Sequence, residues 1–115
     1  MLPSAARLRR REDFTAAVRQ GARAGRGALV VHRLAGDGPS VSPARVGFVA
    51  GRTVGNSVRR HEVTRRLRHL MRDRLIQLDP ADRVVVRAGA AAAGRSSTAL
   101  GADLDAALRK LRTRR

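Results

Sequence analysis

The sequence predicts a small single-domain α+β fold, a two-layer sandwich in which helices pack on a short sheet in the order α-β-β-α-β-α. Three observations support this prediction. The chain has 115 residues, which suits one modest core. Apolar residues recur at helical spacing in three segments, and runs rich in β-branched residues lie between them. We therefore expect one domain over residues 1–115, with flexible ends at residues 1–10 and 112–115.

The first predicted element after a basic lead-in is a helix over residues 11–20. Glu12 and Asp13 lie in its first turn, where the helix dipole favours acidic side chains. Gly21 is a suitable residue to end it. The helix has apolar residues at helical spacing, namely Phe14, Ala17 and Val18.

Two strands are predicted next, over residues 28–34 and 45–52. The first is a β-rich run, and the second alternates larger side chains with glycines. Residues 35–43 between them are rich in Gly, Pro and Ser, which is typical of turns. A loop of this length predicts that the two strands pair as an antiparallel hairpin.

The second half of the chain predicts a helix, a strand and a last helix. The longest helix extends from Asn56 to about Leu75, with Asn56 or Ser57 as its N-cap. A strand over residues 83–87 contains three consecutive valines and is expected to be buried on both faces. Residues 88–97 are typical of a flexible linker or loop. The last helix begins at residue 97 and carries an apolar stripe of Leu100, Leu104, Ala107, Leu108 and Leu111.

Charge is the strongest indication of function. The chain has 25 Lys and Arg against nine Asp and Glu, a formal net charge of +16. A folded domain with this charge repels itself, and binding to a polyanion relieves that repulsion. Nucleic acid is the first candidate partner, and anionic lipid is the second.

Several functional classes have little support. The absence of cysteine excludes disulfides, thiol catalysis and Cys-based zinc sites, and it fits a cytoplasmic location. No apolar run is long enough to span a bilayer. The histidines, His32, His61 and His69, lack metal-site spacing. We therefore expect no catalytic residue, no bound metal and no small-molecule substrate in this chain.

The predicted long helix is strongly amphipathic. Residues 52–74 contain eight arginines and only two acidic residues, Glu62 and Asp73. On a helical wheel, Leu67, Leu70 and Met71 lie within about 80° of Val63 and define a buried side. The opposite side carries His61, Thr64, Arg65, Arg68 and Arg72. Guanidinium groups bind phosphates bidentately and stack on unpaired bases, so this side predicts RNA binding.

The chain resembles the bacterial ribonuclease P protein component over nearly its whole length. The most specific part runs from residue 45 to 58 (RVGFVAGRTVGNSV) and continues from residue 60 to 68 (RHEVTRRLR). The family shows a strand that ends in a basic residue, then Gly-Asn-Ala-Val, then a helix close to Arg-Asn-Arg-x-x-Lys-Arg-x-x-Arg. Upstream, the segment around Asp13 and Phe14 is similar to the family's opening helix.

Each position of the family motif can be compared with one residue of this chain. Its basic and polar positions fall on Arg52, Asn56, Arg60, Arg65 and Arg68. His61 stands where the family usually has Asn, and Thr64 stands near the usual Lys. Glu62 stands where Arg is usual, which reverses a charge. The resemblance implies that this helix, with Arg72 further along it, contacts the catalytic RNA.

The resemblance also implies features that the residues do not show. A cleft beside the first helix, near Arg11, Phe14 and Val18, would hold the 5′ leader of precursor tRNA. The β-α-β crossover would have the rare left-handed sense. The RNA would perform the hydrolysis with Mg²⁺ that is mostly bound to the RNA. The protein would then be one subunit of a cytoplasmic ribonucleoprotein that matures the 5′ end of tRNA.

Two alternatives come from other classes. A structural ribosomal or general RNA-binding protein accounts equally well for the charge, but not for the Gly-Asn-x-Val-x-Arg start of the long helix. A membrane-surface protein is disfavoured, because the long helix has no Trp, no Phe and no broad apolar face.

Overall fold

The computed structural model describes residues 2–36 and 42–113. Three helices are present in this part of the chain: α1 (Arg11–Gln20), α2 (Ser57–Arg72) and α3 (Ser97–Thr113). Four strands form one sheet: β1 (Ala22–Arg26), β2 (Leu29–Leu34), β3 (Arg45–Ala50) and β4 (Arg83–Ala88). The α+β class is therefore confirmed, with one strand more than the sequence predicted.

The sheet has the strand order β1-β2-β4-β3. β4 pairs parallel with β3, with Val46 opposite Val84, so the predicted β-α-β crossover through α2 is confirmed. Its left-handed sense stays a prediction. The predicted hairpin of β2 with β3 is wrong, because β4 lies between them and pairs antiparallel with β2. The hairpin of the fold joins β1 to β2, where Gly27 adopts a φ of +54°.

Helices cover both faces of the sheet, which corrects the two-layer expectation. Val84 and Val86 point into the main core with α2 and α3, whereas Val85 points to the other face. On that face a smaller cluster forms under α1, from Leu8, Ala17 and Val85 with Phe14 and Leu34 packed against it. The three consecutive valines of β4 are all fully buried, and an apolar run of this kind requires cover on both faces.

The N-terminal segment, which was expected to be flexible, packs against the sheet through part of residues 2–10. Leu2, Ala6 and Leu8 are buried. The Leu8 amide donates to the Val46 carbonyl at 3.0 Å, and a parallel bridge joins Arg7 to Val46. The segment therefore covers the outer edge of β3, which protects an otherwise open sheet edge. The flexible C-terminus expected at residues 112–115 is helical through Thr113, and the rest lies outside the described residues.

The segment expected to be a flexible linker or loop, residues 88–97, is partly packed against the core. β4 includes Ala88, and a 3₁₀ turn follows at Ala90–Gly94 with Ala92 fully buried. Asp103 of α3 accepts from Arg95 Nε at 2.8 Å and from the Ala28 amide at 3.4 Å. One carboxylate therefore ties this segment and the β1–β2 turn to α3. Of the loop expected at residues 35–43, residues 37–41 lie outside the described part.

Candidate RNA interface

α2 has a buried apolar seam and an opposite face rich in arginine. Val63, Leu67 and Met71 are the buried residues of the helix, and Leu70 is half-buried. Arg65 and Arg72 are exposed, whereas Arg60 and Arg68 are half-buried. The predicted orientation of the helix is thus confirmed. At 1.5 Å per residue, residues 60 to 72 span about 18 Å, which is long enough to follow several phosphates.

The arginines of this face are electrostatically available. Among the described residues, no carboxylate pairs with Arg65 or Arg68. Arg72 Nε lies 3.7 Å from Asp73 Oδ1, and both side chains are largely exposed, so water screens this pair. Arg60 Nε is buried without a hydrogen-bond partner in the described part of the chain. These guanidinium groups can therefore bind a polyanion without breaking a strong ion pair.

The turn before α2 holds the residues that begin the helix. Arg52 is exposed in a 3₁₀ turn, Arg52–Val54. Gly55 follows with a φ of +141°, a conformation that favours glycine. Asn56 caps the helix, since its Oδ1 accepts from the Arg59 amide at 3.0 Å. Asn56, and not Ser57, is therefore the N-cap, and Arg52 lies near the helix N-terminus.

The polar residues between the arginines have local roles. Thr64 Oγ1 donates to the His61 carbonyl at 3.0 Å, and the His61 side chain is exposed. Glu62, the departure from the family motif, accepts from Arg66 Nη2 at 2.6 Å. Glu62 therefore neutralises Arg66, one helical turn away, and leaves Arg65 and Arg68 unpaired.

The predicted leader-cleft residues share one side of α1. Phe14 packs across β3 at Gly47, where a Cβ atom would overlap the aromatic ring. Phe14 is half-buried against the small cluster under α1, so it belongs to the core, and its place in a leader cleft stays a prediction. Val18 is 37% exposed, and Arg11 is exposed.

The sheet provides a row of residues that sequence reasoning missed. β-pairing places Val30, Arg87 and Val49 side by side on the face that carries α1. Arg87 and Val49 are exposed and Val30 is half-buried. They line a cavity of about 400 Å³ that continues to the turns around Gly51 and Gly89. Arg11, Phe14 and Val18 do not line it. The alternation of Arg83, Val85 and Arg87 in β4 is the signal that could have placed Arg87 on this face.

A buried histidine lies beside this row. His32 of β2 is 1% exposed, and neither ring nitrogen has a hydrogen-bond partner among the described residues. Burial lowers the pKa of His32, and the positive charges of Arg87 and Arg23 lower it further. The imidazole is therefore held neutral at physiological pH, between two guanidinium groups.

Other kinds of site find little support. Within residues 2–36 and 42–113, no three His, Asp or Glu side chains come together as metal ligands. No helix in the same ranges has the length and hydropathy needed to cross a membrane. The concentration of unpaired arginine on α2 is thus the feature that best indicates a ligand.

Comparisons with known proteins identify the family of this chain. The family model described as Ribonuclease P matches residues 2–112. A ribonuclease P protein component of Streptomyces griseus is 55% identical, over 96% of this chain and 95% of the relative. One from Salinispora tropica is 50% identical, over 100% of this chain and 96% of the relative.

Solved structures show the same fold at low identity. The RNase P protein of Staphylococcus aureus matches with a TM-score of 0.78 at 19% identity, over 90% of this chain and 93% of that one. The RNase P protein of Thermotoga maritima matches with a TM-score of 0.73 at 22% identity, over 90% and 96%. Because the family model and the close relatives cover nearly the whole chain, this protein belongs to the bacterial ribonuclease P protein family.

Proposed function

We propose that the chain is the protein subunit of ribonuclease P and that α2 docks it on the catalytic RNA. The observation that carries the proposal is the geometry of α2. Its aliphatic seam is buried, while Arg65 and Arg68 lie on the other side and pair with no carboxylate of residues 2–36 and 42–113. Arg52, Asn56 and Arg60 extend this surface at the helix start, and His61, Thr64 and Arg72 complete it. Phosphates of a folded RNA are the matching ligand.

A second surface would hold the 5′ leader of precursor tRNA. In this proposal the leader passes along α1 near Arg11 and Val18 and over the row of Val30, Arg87 and Val49. Arg87 supplies a phosphate contact, and the exposed valines supply apolar contacts for unstacked bases. Phe14 supports this wall from the small core.

The chemistry would reside in the RNA. The described residues offer no cluster of carboxylates or histidines for Mg²⁺, so the donor set does not fit a protein-held metal. We therefore assign the Mg²⁺ required for cleavage to the RNA. The protein's contribution is positive charge and positioning of the precursor. Such a ribonucleoprotein would work in the cytoplasm, where precursor tRNA is made.

The competing function is that of a structural ribosomal or general RNA-binding protein. Reconstitution with bacterial ribonuclease P RNA at low Mg²⁺ separates the two. We expect the full chain to restore removal of the 5′ leader, measured as the cleavage rate of labelled precursor tRNA. An equally basic, unrelated RNA-binding protein serves as the control. No rate increase over that control would reject the proposed function.

A further inference from the structure

A second cavity, of about 470 Å³, lies between α2 and the start of α3. The two helices contact each other at successive turns: Leu70 is close to Gly101, and Arg74 Nε donates to Asp105 at 2.7 Å. The cavity lies one helical turn closer to the N-terminus of each helix than the Leu70–Gly101 contact. Its walls are formed by Arg65, Arg66, Arg68, His69, Leu70 and Ser97.

Arg66 is held in place at this cavity. Its Nη2 donates to Glu62 Oε1 at 2.6 Å, and its Nη1 donates to the Arg95 carbonyl at 3.4 Å. An exposed ion pair of this spacing adds little to stability. Its main effect is geometric, since two fixed contacts orient the guanidinium plane in the cavity wall.

We infer that this cavity holds one unstacked nucleotide of the RNA that α2 binds, an inference that rests on the proposed function. The volume is within the range of small-ligand sites. The Arg66 plane and the exposed His69 ring are surfaces on which a base stacks. Leu70 provides an apolar wall for the base, and Arg65 and Arg68 provide the phosphate contacts.

The size and the apolar wall favour a whole nucleotide over a phosphate group alone. A bare phosphate needs only converging N–H donors, and Leu70 offers it nothing. The Ser97 hydroxyl can donate to or accept from a base edge or a ribose. In this view Glu62 is a positioning residue for Arg66, and its negative charge serves recognition instead of opposing it.

The first test uses AMP and ribose 5-phosphate as probes on the full chain, followed by amide NMR. We expect AMP to shift the His69, Leu70 and Ser97 resonances saturably. Ribose 5-phosphate should bind at least about tenfold more weakly, because it lacks the base that stacks. Equal affinities for the two probes, or no saturable shift of these resonances, would overturn the inference.

The second test exploits the sign of a charge change. Glu62→Gln removes a negative charge, which by simple electrostatics should strengthen AMP binding. We expect the opposite, a loss of roughly threefold to tenfold, because Arg66 loses a charge-assisted hydrogen bond. Asp73→Asn, the matched control at the C-terminal end of the same helix, should change AMP affinity less than about twofold, because Asp73 is exposed and pairs with Arg72, which does not line the cavity. An E62Q protein that binds AMP as tightly as D73N would contradict the inference.

The two proposals fail separately. A wild-type chain that restores precursor cleavage but binds ribose 5-phosphate as tightly as AMP refutes the nucleotide cavity alone. A chain that binds AMP as expected, yet does not restore cleavage with the catalytic RNA, refutes the ribonuclease P assignment alone.

Discussion

His32 is a buried residue whose ring nitrogens have no hydrogen-bond partner in the part of the chain that the structure describes. Its ring lies in the sheet between Val85 of β4 and Arg23 of β1. A buried polar group without a partner costs about 1–3 kcal/mol, and charging it beside two arginines costs more. Its pKa is accordingly lowered in the fold.

The lowered pKa of His32 predicts a stability that depends on pH. The unfolded chain protonates His32 near pH 6.5, whereas the folded chain resists protonation, so acidification favours unfolding. The contribution is fully present above that pH and is lost as pH falls below it. We expect the free energy of unfolding, from urea titrations, to fall between about pH 7.5 and 5.5. His32→Phe should weaken this decline, and His69→Gln, at an exposed site, should retain it. An unchanged slope in H32F would reject the explanation.

Gly47 is a residue whose size matters more than its conformation. A Cβ there would overlap the Phe14 ring, so in Gly47→Ala this ring must move from its packed position between α1 and the sheet. We expect a loss of about 1–3 kcal/mol in the free energy of unfolding, typical of overpacking. Gly51→Ala is the control, because nothing lies within 4 Å of its added methyl group. It should change stability by under about 0.5 kcal/mol. Equal stability of the two variants would show that α1 does not depend on this contact.

At the scale of elements, α2 separates its structural face from its binding face. Stability depends on Val63, Leu67 and Met71, which are buried, and the arginines contribute little to the core. Charge can therefore be removed from the helix without unfolding it. The same separation explains why Glu62 is tolerated, since it pairs with Arg66 and no carboxylate among the described residues pairs with Arg65 or Arg68.

This separation predicts the effect of a triple substitution. Changing Arg60, Arg65 and Arg68 to Ala should lower affinity for the catalytic RNA at least about tenfold and reduce the log–log salt slope by about two. Far-UV circular dichroism should remain that of the wild type. The control replaces three exposed arginines elsewhere with Ala, giving the same net charge: Arg19, Arg26 and Arg109. Equal losses in both triple variants would mean that only net charge matters.

At the scale of the whole molecule, a formal charge of +16 on one small domain acts against folding and in favour of RNA binding. Salt should therefore have opposite effects on the two processes. We expect the thermal midpoint to rise between about 50 and 300 mM NaCl as repulsion is screened, while RNA affinity falls steeply. Calorimetry and filter binding measure the two responses on one sample. A midpoint that falls with salt would show that ion pairs, such as Arg33 with Asp82, outweigh the repulsion.

The local features of this protein could be predicted from its sequence. Helical periodicity predicted α1, α2 and α3, the valine run predicted β4, and the wheel predicted which side of α2 is buried. These predictions held because each depends on the spacing of neighbouring residues along one element. The family motif likewise depends on consecutive residues, 45–68.

The pairings between distant segments could not be predicted from the sequence, because they depend on long-range packing. β1, with the sequence ARAGR, has few strand-forming residues, and it becomes a strand because β2 lies beside it. β4 separates β2 from β3, so the expected hairpin could not form. The row of Val30, Arg87 and Val49, and the cavity between α2 and α3, bring together residues far apart in the chain. The spacing of apolar residues along one element cannot predict such contacts, because they depend on packing between segments that are distant in the sequence.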